Sequence, residues 1–188
     1  FSINVIKTHE KPRDELGKSE KDIILRTIAA IYRDTKDFDN SLKYIELSKE
    51  INPNNINLIL LESNIRWELG DVNSYEKLIT KALEINPENT DLVFNLGVVN
   101  ADKGNIDLAL EYYNKAIQLD PSYTKAYLNA AALILDKDEP IIEEMNSLGM
   151  STADYNRYDE LKLIREDLFK SAIPYLDKVY ILDPNNID

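Results

Sequence analysis

Apolar positions along this chain recur three and four residues apart, and no long stretch alternates apolar with polar as a half-buried strand would. The pattern therefore predicts helices throughout. Proline punctuates them regularly: Pro53, Pro87 and Pro121, in "INPNN", "INPEN" and "LDPSY", stand 34 residues apart, and Pro184 closes a similar "LDPNN". A fixed period of this length, with the helical pattern between the prolines, predicts a stack of helix pairs rather than one globular core.

The clearest unit spans 90–123. Val93, Leu96 and Gly97 fall on its first helix, Gly104 ends that helix, and Ala109, Tyr113 and Ala116 lie on the second, which stops at Pro121. Each choice has a physical reason. Gly97 and Ala109 are small where the two helices cross. Gly104 supplies a left-handed residue after a helix, and Pro121 lacks the N–H that a helix interior needs. The unit over 22–55 carries Leu25, Ile28, Ala29, Tyr32, Ser41, Ile45, Ser48 and Pro53 in the same register. The unit over 56–89 carries Ile59, Glu62, Ser63, Gly70, Tyr75, Ile79, Ala82 and Pro87. Glu62 and Tyr75 depart from the pattern there, so this unit is expected either to pack more loosely or to pair Glu62 with Arg66 at i,i+4.

The fourth unit, 124–188, is interrupted. Tyr127, Ala130, Ala131 and Ile134 begin it and Ala172, Leu176, Val179 and Pro184 end it, yet Pro121 and Pro184 are 63 residues apart, 29 more than one period. The extra length, about 137–165, is itself helical in pattern: Ile141, Ile142, Met145 and Leu148, then Gly149, then "STAD" as a capping box, then Tyr155, Tyr158, Leu161 and Leu168. It predicts an antiparallel helical hairpin, lengthened by about 20 Å. A kink or restart is expected at Pro140, with that proline in the first turn. Tyr155 and Tyr158 are expected to pack against Ile142 and Met145.

These hallmark positions resemble the tetratricopeptide repeat family. The resemblance implies an all-α, right-handed superhelix of antiparallel helix pairs, with units at 22–55, 56–89, 90–123 and 124–188 and an N-terminal arm or partial cap over 1–21. The lengthened last unit is similar to tetratricopeptide proteins of Gram-negative bacterial envelopes, which leaves envelope, periplasm and cytoplasm all open. In this family the first helices line a concave groove. By that resemblance the partner-binding positions are Asn57, Leu60, Leu61, Asn64 and Trp67, then Asp91, Phe94, Asn95 and Val98, then Lys125, Leu128 and Asn129. Trp67 and Phe94 are the rigid aromatic type that dominates binding energy. A second reading of Trp67 packs it against the first repeat or under a neighbouring helix. Some family members clamp a carboxylate with Lys and Asn, then Asn, then Lys and Arg. Leu60, Asn64, Asn95, Lys125 and Asn129 match three of those five, and without the first Lys and the Arg, strong carboxylate capture is not expected here.

Composition narrows the function class. With 22 Lys+Arg against 34 Asp+Glu the chain carries −12, which repels phosphate backbones and anionic membranes. No run is apolar enough to insert in a membrane. There is no Cys, and His9 is the only His, so thiolate zinc sites and Cys nucleophiles are excluded and any Ser-His-Asp triad would need His9. "GKS" at 17–19 lacks the upstream Gly of a phosphate loop, with Pro12 in its place, and "DTKDFDNS" lacks the Gly and terminal Glu of a calcium loop. Glu143 and Glu144 read as solvated. The expectation is a noncatalytic scaffold without cofactor or metal, binding a peptide or helix. The alternative is an assembly module acting through the hairpin or the C-terminal flank, including with a second copy. The start at Phe1 and the closing "NNID" are expected to be cut ends of a longer array.

Overall fold

The computed structural model describes residues 13–184. His9, Pro12, the first part of the expected N-terminal arm and the closing "NNID" lie outside the described residues. From Arg13 onward the chain is already helical, so the first helix starts well ahead of Asp22. Among the described residues there are nine helices and no strand, and the fold is all-α. The described residues divide into two compact units, 13–87 and 88–184.

The first unit holds α1 (Arg13–Asp34), α2 (Phe38–Lys49), α3 (Ile56–Glu68) and α4 (Val72–Ile85), with α1 packed on α2 and α3 on α4. Short polar residues set the helix starts. The side chains of Asp37, Asn55 and Asp71 accept backbone N–H bonds from Asn40, Asn57 and Ser74. Gly70 ends α3 at φ 72, the conformation glycine adopts most cheaply. Ala29, Ile45, Leu58, Leu61 and Ile65 form a buried cluster, with Phe38, Leu42 and Tyr44 against it. At the α1–α2 crossing Ser41 takes the small position, and its hydroxyl donates to the Ala29 carbonyl at 2.7 Å.

Glu62 is buried on α3 and is met by Lys49 of α2 at 2.5 Å and by Arg66 at 3.8 Å. The i,i+4 pairing with Arg66 is therefore the outer contact, and the closer counter-charge comes from the preceding repeat. Tyr75 is buried in the space an alanine would leave, its ring 5.0 Å from that of Trp67.

The second unit holds α5 (Thr90–Asp102), α6 (Ile106–Leu119), α7 (Thr124–Leu135), α8 (Asp138–Ser147) and α9 (Thr152–Leu182). Gly104 stands at φ 76 after α5. Gly97 lies against Tyr113 of α6, which is buried. The hairpin insertion is α8 and the first half of α9. The chain breaks after Leu135 and restarts at Asp138, with Pro140 in the first turn of α8. Ser151 and Asp154 form the capping box that opens α9. Two Arg forks bind the hairpin together: Arg157 donates to both oxygens of Glu144 at 2.7 and 3.1 Å, and Arg165 to both of Asp138 at 2.5 and 2.8 Å. Leu161 is buried in this arm of α9. Farther along, Ala172 and Val179 are buried, and the Tyr175 hydroxyl donates to Asn114 Oδ1 at 2.9 Å. Pro174 sits inside α9 without ending it.

Candidate binding cleft

A cleft of about 460 Å³ opens in the first unit, between α1 and α3. Four of the predicted positions line it: Asn57, Leu60, Leu61 and Asn64. The facing wall comes from α1: Ile23, Arg26, Thr27, Ala30 and Arg33. Those five were missed by the sequence reading, which began the groove at the second repeat. The signal was present, because each stands one period of 34 before Asn57, Leu60, Leu61, Asn64 and Trp67 respectively.

The cleft has an apolar floor and a polar rim. Leu58 and Leu61 are buried, while Asn57 and Asn64 are exposed and free to exchange hydrogen bonds with a backbone. Its charged lining residues are both cations, against the sign of the whole chain. Arg26 is held from behind. Its Nε donates to Asp22 Oδ2 at 3.1 Å, and the other Asp22 oxygen accepts from the buried Ser48 hydroxyl at 2.5 Å. Arg33 donates to Asp34 at 2.6 and 2.9 Å. A guanidinium carries five N–H donors, so each keeps capacity for an acceptor in the cleft. Trp67 does not line this cleft; it is 41% exposed and packs on Tyr75 of its own repeat.

The remaining predicted positions lie in the second unit. Asp91 accepts from the Tyr123 hydroxyl at 2.5 Å, and Phe94 is half-buried, its ring 5.3 Å from Tyr123 and 5.6 Å from Tyr113. Burial pushes the Tyr113 hydroxyl pKa up, and the Asn129 side chain beside it offsets part of that rise. Burial, with the Asp91 carboxylate beside it, pushes the Tyr123 hydroxyl pKa far up. Asp91, Phe94 and Asn129 are thus engaged in an internal aromatic cluster. Asn95 and Val98 are half-buried, and Lys125 and Leu128 are exposed.

A smaller cavity of about 330 Å³ sits at the hairpin turn, lined by Met145, Leu148, Gly149, Met150, Asp154, Tyr155 and Tyr158. Both tyrosines are exposed, contrary to the expected packing against Ile142 and Met145. The physical reason lies in the Arg forks, which join α8 to α9 without them. Gly17 lies within α1, so "GKS" is no loop. Asp37, in the segment that resembled a calcium loop, caps α2. Among the described residues no group of His, Cys, Asp and Glu is placed to hold a metal ion, and no helix is long and apolar enough to cross a membrane.

Comparison with known proteins agrees with this architecture. Two family models, each described as tetratricopeptide repeat, match residues 27–55 and 92–123. A comparison with curated protein sequences returns no match. Among solved structures the fold is similar to a crystal structure of MamA protein, at 18% identity, TM-score 0.58, over 88% of this chain and 93% of that one. It is similar to MamA from Desulfovibrio magneticus, at 12% identity, TM-score 0.62, over 89% and 78%. It is also similar to the first such domain of Spaghetti (RPAP3), solved bound to an HSP90 peptide, at 16% identity, TM-score 0.54, over 61% and 91%. With matched repeats in both units, and helix pairs whose crossings and turns carry the hallmark residues, this chain carries tetratricopeptide repeats at 27–55 and 92–123 and has the fold of tetratricopeptide-repeat proteins.

Proposed function

We propose that this chain is a noncatalytic scaffold that holds an extended or helical segment of another polypeptide in the α1–α3 cleft. The observation that carries this is the cleft's composition. An apolar floor at Leu58 and Leu61 is rimmed by Asn57 and Asn64, with Arg26 fixed in place by Asp22. That arrangement suits a segment with one apolar side chain to bury and an acidic group to meet the arginines. A preformed cleft on packed helices loses little entropy on binding. The likeness in fold to a domain solved with the peptide SRMEEVD bound supports a peptide as the occupant. The −12 charge supports a polypeptide rather than a nucleic acid. The remaining predicted positions, Trp67 on α3 and Asp91, Phe94, Asn95, Val98, Lys125, Leu128 and Asn129 on α5 and α7, would extend the contact.

The test is selection from a displayed peptide library, followed by titration of the enriched peptides against the native chain and an Arg26→Ala/Asn64→Ala variant. The expected result is enrichment of acidic peptides and a loss of affinity of at least about tenfold in the variant. Peptides bound equally by both proteins would overturn the cleft reading. Binding lost only when 138–165 is replaced by a short turn would move the function to the hairpin.

A further inference from the structure

Within each of the two units, the junction between one repeat and the next uses the same two rows of side chains. In the first unit the row on α2 is Phe38, Leu42, Ile45 and Lys49. It is met by Leu58, Glu62 and Ile65 of α3, through the shared buried cluster and the Lys49–Glu62 pair. In the second unit the corresponding row on α6 is Ile106, Leu110, Tyr113 and Ile117, and α7 packs on that helix with Ala126, Ala130 and Leu133 buried. None of these side chains is exposed.

Among the described residues, two rows in the same register lack a cover. On α9, aligned by Pro121 and Pro184, the row is Phe169, Ile173, Leu176 and Tyr180, spaced i, i+4, i+7, i+11 along one face and 40–69% exposed. On α1, one period before Leu58, Glu62 and Ile65, stand Ile24, Ile28 and Ile31, of which Ile24 and Ile31 are 58% and 57% exposed. The two rows are complementary in kind. Where the first junction sets Lys49 against Glu62, the open rows offer Tyr180 and Ile28 at those positions, an apolar pair like Ile117 with Ala130. A charge on one side alone would have been left buried without a partner.

We infer that a second copy of this chain docks head to tail, the α1 row of one molecule covering the α9 row of the next as one repeat covers another. Such a contact is heterologous: the assembly it forms still presents one open row of each kind, α1 at one end and α9 at the other. It does not involve the cleft, whose α1 wall is Ile23, Arg26, Thr27, Ala30 and Arg33.

The experiment is sedimentation equilibrium on the native chain over a concentration series reaching on the order of 100 μM, at about 0.3 M salt to screen the like charge of the copies. Alongside it run Ile24→Asp/Ile31→Asp and Ile173→Asp/Tyr180→Asp, all at exposed positions where folding tolerates a charge and circular dichroism verifies it. The native chain should self-associate with no closed dimer endpoint. Each variant alone should be monomeric. Mixed in equal amounts they should form one-to-one dimers, since each keeps the row the other has lost. A native chain monomeric throughout would overturn the inference, as would an α1 variant that still dimerises, the sign of α9 pairing with α9. Variants that stay monomeric on mixing would overturn it too. Arg26→Ala/Asn64→Ala should associate like the native chain, so the peptide reading and this one can fail separately.

Discussion

A methyl group on Gly97 would lie 2.5 Å from Cε1 of Tyr113, closer than any carbon pair tolerates. The contact fixes how near α5 and α6 can cross. Tyr113 cannot easily give way, since it is buried and its ring packs against Phe94. Gly97→Ala should therefore destabilise the protein by about 1–3 kcal/mol, although alanine is the better helix former. Urea unfolding monitored by circular dichroism reads this out. Gly97→Ala combined with Tyr113→Leu should recover a good part of the loss, because the shorter side chain vacates the space. A neutral Gly97→Ala would show that the two helices can separate freely.

The Lys49–Glu62 pair ties α2 to α3 by charge. Burial pulls the Lys49 pKa down, but bonds to Glu46 and Glu62 outweigh it and hold the amine above its usual value. Its contribution to stability is thus complete through neutral pH and is lost only as pH rises through that raised pKa. Lys49→Met strands the Glu62 carboxylate with Arg66 at 3.8 Å and should cost about 2 kcal/mol, less than a fully buried pair because Lys49 keeps contact with water. Lys49→Met/Glu62→Leu should be as stable as the native chain or more so, since a matched apolar pair avoids desolvating two charges. A double-mutant cycle in urea measures the coupling, and additive losses would refute it.

How legible these features were in the sequence follows from their range. Proline spacing, Gly104, the Ser151–Asp154 box and the restart at Pro140 are local, and a local pattern carries them whole. Lys49 with Glu62 spans two repeats, so the departure at Glu62 was visible but its partner was sought on the same helix. The exposure of Tyr155 and Tyr158 was hidden for a related reason. Helical periodicity marks which residues share a face, but whether that face is held by apolar packing or by Arg forks depends on the opposing helix. The α1 wall of the cleft needed only the period carried back once more.

The hairpin forks make the protein sensitive to acid. The bond from Arg165 holds the Asp138 carboxyl below its ordinary pKa, and Arg157 does the same for Glu144. A carboxylate with a depressed folded pKa stabilises above the ordinary carboxylate range, and that stabilisation is lost as pH falls through the folded value. Thermal unfolding from about pH 5 to pH 3 should show a falling midpoint. In an Arg157→Gln/Arg165→Gln variant the fall should be shallower, because the same carboxyls then titrate alike in the folded and unfolded chain. Parallel pH profiles for the two proteins would assign the acid sensitivity elsewhere.

Ser48 links the core to the cleft. It occupies the position that Ala82 and Ala116 hold in the next two repeats, yet its hydroxyl donates to Asp22, which in turn orients Arg26 at the cleft wall. Replacing Ser48 by the alanine that its neighbours use should be harmless if repeat pattern alone governs the position. The geometry predicts otherwise. The buried Asp22 oxygen would lose its donor, costing about 1–3 kcal/mol, and Arg26 would lose its fixed anchor. Ser48→Ala should therefore lower stability and also weaken acidic-peptide binding severalfold, although residue 48 does not line the cleft. Asp22→Leu/Ser48→Ala should restore stability without restoring affinity, since it removes the buried charge but leaves Arg26 untethered. Calorimetric titration beside urea unfolding separates the two effects. If the double variant binds as tightly as the native chain, the Asp22 tether has no part in recognition.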